Sequence, residues 1–179
     1  MRLFLAIDLP GLAKRQVANQ LLRFKREYPY FRWVEAANYH LTLHFFGEVS
    51  SADKISRFMN DLVYDTPSFY LYSLGLDLFI KDNIALYLEF KRNKILEKLV
   101  RRIKEKSALG TSSSRKFVSH LTFSRYRIPS KQQYLLIKKK LKNFIPDIEF
   151  KVTTITLFES VPGFQKPVYK KIAEFPLLD

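Results

Sequence analysis

The 179-residue sequence contains no cysteine and only five glycines. The absence of cysteine excludes disulfides and thiolate metal sites and is compatible with a reducing compartment. With so few glycines, there is no glycine-rich loop to surround a phosphate group. The apolar run from Leu3 to Leu9 contains Asp8 and is too short to span a membrane. We therefore expect a cytoplasmic protein with no membrane partner.

Acidic residues are few relative to basic ones. The 17 Asp and Glu residues stand against 31 Lys and Arg, which gives a formal net charge of +14. This excess favours a polyanionic partner, and nucleic acid is the first candidate. Two basic helices contribute to it and are either solvated faces or contacts to an RNA backbone: Lys98, Arg101, Arg102, Lys104 and Lys106, and Lys138, Lys139, Lys140 and Lys142. The single tryptophan, Trp33, either packs in the core or provides a platform for base stacking.

Histidine is also scarce, yet two of the three histidines begin the same tripeptide, His-Leu-Thr, at His40 and at His120. Side chains at positions i and i+2 of a β-strand project from the same face. Each motif therefore places an imidazole beside a threonine hydroxyl, from Thr42 in the first and Thr122 in the second.

Strict alternation makes further predictions for both motif strands. It places His44 on the face of the first motif and Ser124 on the face of the second. Arg125 begins on the opposite face, although a bulge after Ser124 would turn it toward the motif.

Two neighbouring imidazoles are suited to reactions in which one group gives a proton while another takes one, because histidine titrates near neutral pH. Threonine hydroxyls donate hydrogen bonds to phosphate oxygens, and Arg125 adds a bidentate donor. Two histidines without a carboxylate or thiolate at ligand spacing make a poor zinc site. We therefore expect no metal and no other cofactor.

The pattern of elements occurs twice. We predict strands over 2–8, 32–34, 39–46, 69–80, 84–90, 117–127, 149–158 and 169–175, with a bulge at Gly75. We predict helices over 12–26, 51–64, 93–106 and from 129 to about 143. His40 and His120 lie 80 positions apart, and Leu78-Phe79 recurs as Leu157-Phe158. An internal duplication explains this.

The duplication predicts an α+β fold of two pseudo-symmetric lobes, each a mostly antiparallel sheet covered by helices. A central cleft would carry the two His-x-Thr strands, which would face each other across it. We expect residues 1–179 to form one bilobal domain, with sequence halves of about 1–81 and 82–179.

The sequence resembles the 2H phosphoesterase superfamily and, within it, the bacterial and archaeal RNA 2′,3′-cyclic phosphodiesterases, also called 2′-5′ RNA ligases. The resemblance extends nearly end to end, over Arg2 to Ile7, Arg32-Trp33-Val34, His40 to Glu48, Phe117 to Arg125 and Val152 to Leu177. It implies hydrolysis of 2′,3′-cyclic phosphate RNA ends to 2′-phosphomonoesters, with reversible 2′-5′ ligation by the same groups. The implied partners are such RNA ends, tRNA fragments among them, and the implied state is a monomer.

The resemblance also implies a role for each motif residue. His120 acts as general base on water, His40 protonates the departing 3′ oxygen, and Thr42, Thr122 and Arg125 hold the phosphate.

Four departures from the family pattern concern substrate preference rather than reaction class. His44 stands where lysine is common, Ser119 replaces a frequent proline, and Ser124 replaces a frequent alanine. A Pro-Arg pair common ahead of Ile84 is absent. Two alternatives remain open: a phosphodiesterase acting on 2′-5′ oligonucleotides or cyclic nucleotides, and a non-catalytic RNA-binding module that binds without turnover.

Overall fold

The computed structural model describes residues 1–80, 83–107, 117–127, 130–163 and 167–179. Within them, nine strands and four α-helices form. The strands are β1(Arg2–Asp8), β2(Arg32–Trp33), β3(His40–Glu48), β4(Phe69–Ile80), β5(Ile84–Phe90), β6(His120–Tyr126), β7(Glu149–Val152), β8(Thr154–Val161) and β9(Val168–Pro176). The helices are α1(Gly11–Glu27), α2(Asp53–Val63), α3(Lys94–Lys106) and α4(Lys131–Lys142), with a 3₁₀ turn at Ala36–Asn38. Pro129, where we expected the last helix to begin, lies outside the described residues.

The strands form one sheet in the order β7-β4-β5-β6-β3-β1-β8-β9, with β2 also paired to β6. Every pair in it is antiparallel. Under the 80-residue repeat, β1 corresponds to β5, β3 to β6 and β4 to β8. The central order β4-β5-β6-β3-β1-β8 is therefore symmetric about the β6–β3 junction, which confirms the α+β fold with two pseudo-symmetric lobes.

The two lobes are not contiguous in sequence. Each is completed by a strand from the other half, because β4 pairs with β5 and β8 pairs with β1. The strand expected over 149–158 is instead two strands, which separate at Thr153 because they pair with different partners. β7 joins β4 at one end of the sheet, whereas β8 joins β1 toward the other end. The predicted bulge at Gly75 is present, with Leu74 as the extra residue.

The sheet has two different faces. On the helix face, leucines such as Leu5, Leu41 and Leu121 are fully buried in one cluster, to which all four helices contribute. Burying each such side chain contributes about 1.5–3 kcal/mol. On the opposite face, which we call the cleft face, Phe4 and Phe158 form a smaller buried cluster. No helix in the described part of the chain is long and apolar enough to cross a membrane.

Candidate active site

The two motif strands, β3 and β6, are neighbours at the centre of the sheet, where Leu41 lies opposite Leu121. In an antiparallel pair with this register, His40 comes opposite Thr122, and Thr42 comes opposite His120. These four side chains project away from the buried leucines, onto the cleft face. The motifs therefore lie side by side on one sheet, whereas we expected their strands to face each other across the cleft.

A bulge in β3 turns His44 away from the motif. Leu5 of β1 lies opposite His44, and the next residue, Ala6, lies opposite Thr42, so Leu43 is extra. After the bulge, His44 lies on the helix face, against Phe46 and within the electrostatic reach of Lys104. The prediction that His44 shares a face with His40 and Thr42 is therefore wrong.

The same bulge occurs in β6, one repeat later. Leu86 lies opposite Ser124 and Tyr87 opposite Thr122, so Phe123 is extra. Ser124 is fully buried, and its hydroxyl donates to the Arg32 carbonyl at 3.3 Å. The prediction that Ser124 shares the face of its motif is wrong, because the bulge precedes Ser124 rather than following it. This earlier bulge brings Arg125 to the cleft face, where its side chain is exposed.

Both motif imidazoles are held in the same way. Nδ1 of His40 lies 2.7 Å from the Asn38 carbonyl, and Nδ1 of His120 lies 2.8 Å from the Val118 carbonyl. A carbonyl oxygen only accepts, so Nδ1 carries the hydrogen and donates it. In the neutral ring, Nε2 is therefore left with its lone pair, and it is the nitrogen that can take or give a proton.

Burial lowers the pKa of both motif histidines below its usual value, but the nearby charges differ. At His40, the hydrogen bond to Asn38 and the Asp8 carboxylate raise the pKa against burial, while Lys14 and His120 lower it. At His120, the hydrogen bond to Val118 opposes burial, and the Arg125 guanidinium lowers the pKa further. A carboxylate thus favours the protonated form of one ring, and a guanidinium disfavours it in the other.

Aromatic side chains surround each histidine. The ring centroids of Phe4 and Tyr169 lie 5.2 and 5.1 Å from that of His40, and that of Phe158 lies 6.2 Å away. Around His120, the Phe79 and Tyr87 centroids lie at 5.0 and 5.4 Å. The sequence comparison of Phe79 with Phe158 detected the repeat but did not place either residue in the site.

A cavity of about 160 Å³ adjoins His40. Asp8 lines this cavity and lies opposite His40 in the sheet. Its carboxylate forms ion pairs with Lys14 at 2.6 Å and with Lys171 at 3.0 Å. Tyr169 and Phe158 also line the cavity. The sequence pattern did not point to Asp8 or either lysine as part of the site.

Two other sequence features lie away from the histidines. Trp33 stacks on buried Phe123, with centroids 5.9 Å apart, and its Nε1 donates to the Tyr28 carbonyl. It therefore packs in the core rather than in the cleft. The basic helix α3 lies on the helix face, and Arg102 there pairs with Asp65 at 2.8 Å. Among the described residues, no group of three or more histidine and acidic side chains is placed to hold a metal ion.

Comparison with known proteins finds relatives along nearly the whole chain. A family model described as the 2′-5′ RNA ligase superfamily matches residues 13–163. A Methanocaldococcus jannaschii protein named RNA 2′,3′-cyclic phosphodiesterase is 32% identical over 185 residues, which cover 98% of this chain and 100% of that protein. A Thermotoga maritima protein of the same name is 30% identical, with coverage of 97% and 94%.

Solved structures share the fold along the whole chain. E. coli LigT complexed with 3′-AMP is 25% identical, with a TM-score of 0.75 and coverage of 99% of this chain and 98% of that one. The protein TT0787 of Thermus thermophilus gives the same TM-score and coverage at 20% identity. The resemblance inferred from the sequence is therefore confirmed.

Proposed function

The chain belongs to the 2′-5′ RNA ligase superfamily, and on that premise we propose that it is an RNA 2′,3′-cyclic phosphodiesterase that converts cyclic phosphate ends to 2′-phosphomonoesters. One observation carries the proposal. Two imidazoles with their Nδ1 atoms tied to backbone carbonyls share one face of the sheet with two threonine hydroxyls. This pairing provides an acid, a base and hydroxyl donors around one phosphate.

The reaction requires one proton to be taken and one to be given. Nε2 of His120 takes a proton from water as the water oxygen attacks phosphorus. The bond between phosphorus and the 3′ oxygen breaks, and protonated Nε2 of His40 gives its proton to that oxygen. The product carries a 2′-phosphomonoester and a free 3′ hydroxyl. His40 is then neutral and His120 protonated, so exchange with solvent restores the starting state.

The surrounding charges support this assignment of acid and base. Asp8 favours the protonated form of His40, which the acid must have before turnover. Arg125 favours the neutral form of His120, which the base must have. A bound cyclic phosphate is an anion, and its negative charge raises the pKa of both rings.

Thr42, Thr122 and Arg125 are proposed to hold the phosphate. The two hydroxyls lie beside the histidines in the cross-strand arrangement, and Arg125 lies farther along β6 on the same face. They donate to the non-bridging oxygens, on which negative charge increases as water attacks. No metal takes part in this scheme, because the two imidazoles handle both protons.

We extend the proposal to substrate and setting. Run in reverse, the same groups join a 2′,3′-cyclic end to a 5′ hydroxyl and form a 2′-5′ linkage, which agrees with the family description. The net charge of +14 favours RNA as substrate, tRNA fragments included. We propose that residues 1–179 act as one domain and as a monomer, since one chain supplies all the site residues described above. We also propose a cytoplasmic location, with which the absence of cysteine is compatible.

The test is hydrolysis of a dinucleotide ending in a 2′,3′-cyclic phosphate, in EDTA, followed by ³¹P NMR of the product. We expect a 2′-monophosphate. We expect His40→Ala and His120→Ala each to lower kcat by about 10²- to 10⁴-fold, the range for removal of a general acid or base. Removing both should cost much less than the product of the two losses, because they act as a unit.

Circular dichroism of each variant separates loss of chemistry from loss of fold. A 3′-monophosphate product would reverse the identity of the leaving group. Full activity in either alanine variant, or binding of the RNA without turnover, would contradict the proposal and favour the binding-module alternative.

A further inference from the structure

Two arginines lie directly opposite each other at one end of the site. β2 pairs with β6 in a register that sets Arg32 opposite Arg125, and side chains of directly opposed residues share a face. That face is the cleft face. Arg125 lies opposite Ala85 on β5, and Tyr87, two residues along the same face, contacts His120. Arg32 is therefore beside the candidate site, on the side of β6 that also holds His40.

This placement is unfavourable for the protein alone. Like charges directly opposite on a sheet repel each other. Both side chains are exposed, and neither forms an ion pair with a carboxylate in the described part of the chain. Other arginines do have such partners, as Arg92 has Glu97 and Arg102 has Asp65. A shared anion, or two neighbouring anions, would compensate the repulsion.

The position of this arginine pair along β6 indicates which anion Arg32 would bind. Of the two cross-strand pairs in the phosphate site, the pair of His40 and Thr122 lies nearer to Arg125 along β6. The pair of Arg32 and Arg125 lies farther along β6, beyond the bulge at Phe123. The reacting phosphate, a monoanion, already has two threonines and Arg125 in the proposed scheme. An RNA with a cyclic 3′ end has one neighbouring phosphate, on the 5′ side of its last nucleotide.

We propose that Arg32 binds this backbone phosphate, so that the enzyme recognises the end of an RNA chain in preference to an isolated nucleoside cyclic phosphate. The inference rests on the proposed function and adds a second phosphate subsite to it. Arg32 provides a bidentate, permanently charged donor suited to phosphate.

The experiment compares Arg32→Gln with the unaltered protein on two compounds: a nucleoside 2′,3′-cyclic phosphate and a dinucleotide with the same cyclic end. We expect kcat/KM to fall about 10- to 100-fold on the dinucleotide, as for loss of a charged hydrogen bond. On the nucleoside compound it should stay within about twofold. For the dinucleotide, the slope of log kcat/KM against log salt should shrink by about 0.7, because the variant neutralises one phosphate fewer.

Two variants serve as controls. Arg23→Gln removes the same charge from the exposed surface of α1 and should leave both rates unchanged. Arg125→Gln should lower the rate on both compounds, since both carry the reacting phosphate. Because removing Arg32 relieves repulsion, Arg32→Gln should not lower the midpoint of thermal unfolding without ligand, and Arg32→Lys should restore part of the dinucleotide rate.

The outcomes separate the two proposals. If the unaltered protein hydrolyses neither compound, the proposed function fails and the subsite fails with it. If it hydrolyses both and Arg32→Gln slows them equally, or slows neither, the subsite alone is overturned.

Discussion

Replacement of His44 by leucine distinguishes the two faces of β3. His44 lies opposite fully buried Leu5, with its ring edge-on to Phe46 at 4.8 Å. Its Nε2 is buried and has no hydrogen-bond partner among the described residues. The side chain is therefore a half-buried polar group on the helix face and not a member of the candidate site.

The expected effect on stability follows from that orphaned nitrogen. A buried polar atom without a partner costs about 1–3 kcal/mol, and leucine has a similar volume without it. We expect His44→Leu to raise the free energy of unfolding by about 1–2 kcal/mol at pH 7, allowing for imperfect repacking. For a protein of this size, each kcal/mol raises Tm by about 2–4 °C. Activity should stay within about twofold.

The pH dependence gives a second check. Burial, with a smaller contribution from Lys104, lowers the pKa of folded His44. The unfolded chain, with a pKa near the ordinary value of about 6.5, takes up a proton first as the pH falls. The native state therefore loses stability from about pH 6.5 downward, and the advantage of His44→Leu should widen there.

Urea unfolding at pH 7.5 and 5.5, with an activity assay, measures these effects. The matched control is His40→Leu, the same substitution on the cleft face, which should abolish most activity. A folded His44→Leu protein that loses activity more than about tenfold would show that His44 faces the cleft, as strict alternation predicts, and that the bulge at Leu43 is misplaced.

Two further predictions concern a charge beside the site and a contact outside it. Asp8→Asn should lower the pKa of His40 further and move the high-pH limb of kcat/KM to lower pH; a shift of the low-pH limb instead would exchange acid and base. Gln20 exchanges two 3.0 Å hydrogen bonds with the Asp147 backbone, so Gln20→Ala should destabilise the protein by about 1 kcal/mol without changing activity. An unchanged urea midpoint would contradict the second prediction.

Much of the fold could be predicted from periodicity and repetition. Strand β4 was predicted with its observed bounds, and the 80-residue offset predicted the symmetry of the sheet. The exchange of β4 and β8 between lobes could not be predicted. A repeat records which elements correspond, but not whether an element pairs within its own half. The division between β7 and β8 follows from that exchange and was missed for the same reason.

Strict alternation of side chains along a strand predicted the wrong sheet face after the bulges, for a physical reason. One extra residue reverses the face of every residue after it. Leu43 and Phe123 are apolar residues in apolar strands, so no glycine or proline marks either bulge. Positions before the bulge, His40 with Thr42 and His120 with Thr122, were predicted correctly to share a face. His44 and Ser124, the positions directly after the bulge in each strand, were inverted.

Comparison of equivalent positions in the repeat shows how the two halves of the site differ. Phe45 and Arg125 are equivalent positions, each just after its bulge, so one motif gains an aromatic ring and the other a guanidinium. Asp8 and Glu89 are likewise equivalent and lie opposite His40 and His120. Asp8 is paired with two lysines, whereas burial, with a smaller contribution from Asp77, raises the pKa of Glu89 and favours its neutral form.

Equivalent backbone hydrogen bonds therefore hold two imidazoles in different electrostatic surroundings. The Asp8 carboxylate favours the protonated form of His40, and the Arg125 guanidinium disfavours the protonated form of His120. On the proposed mechanism, the acid and base roles are set by these neighbours and not by the histidine motifs, which are the same in both strands. A duplicated strand can supply paired chemistry of this kind once the charged side chains around its two copies differ.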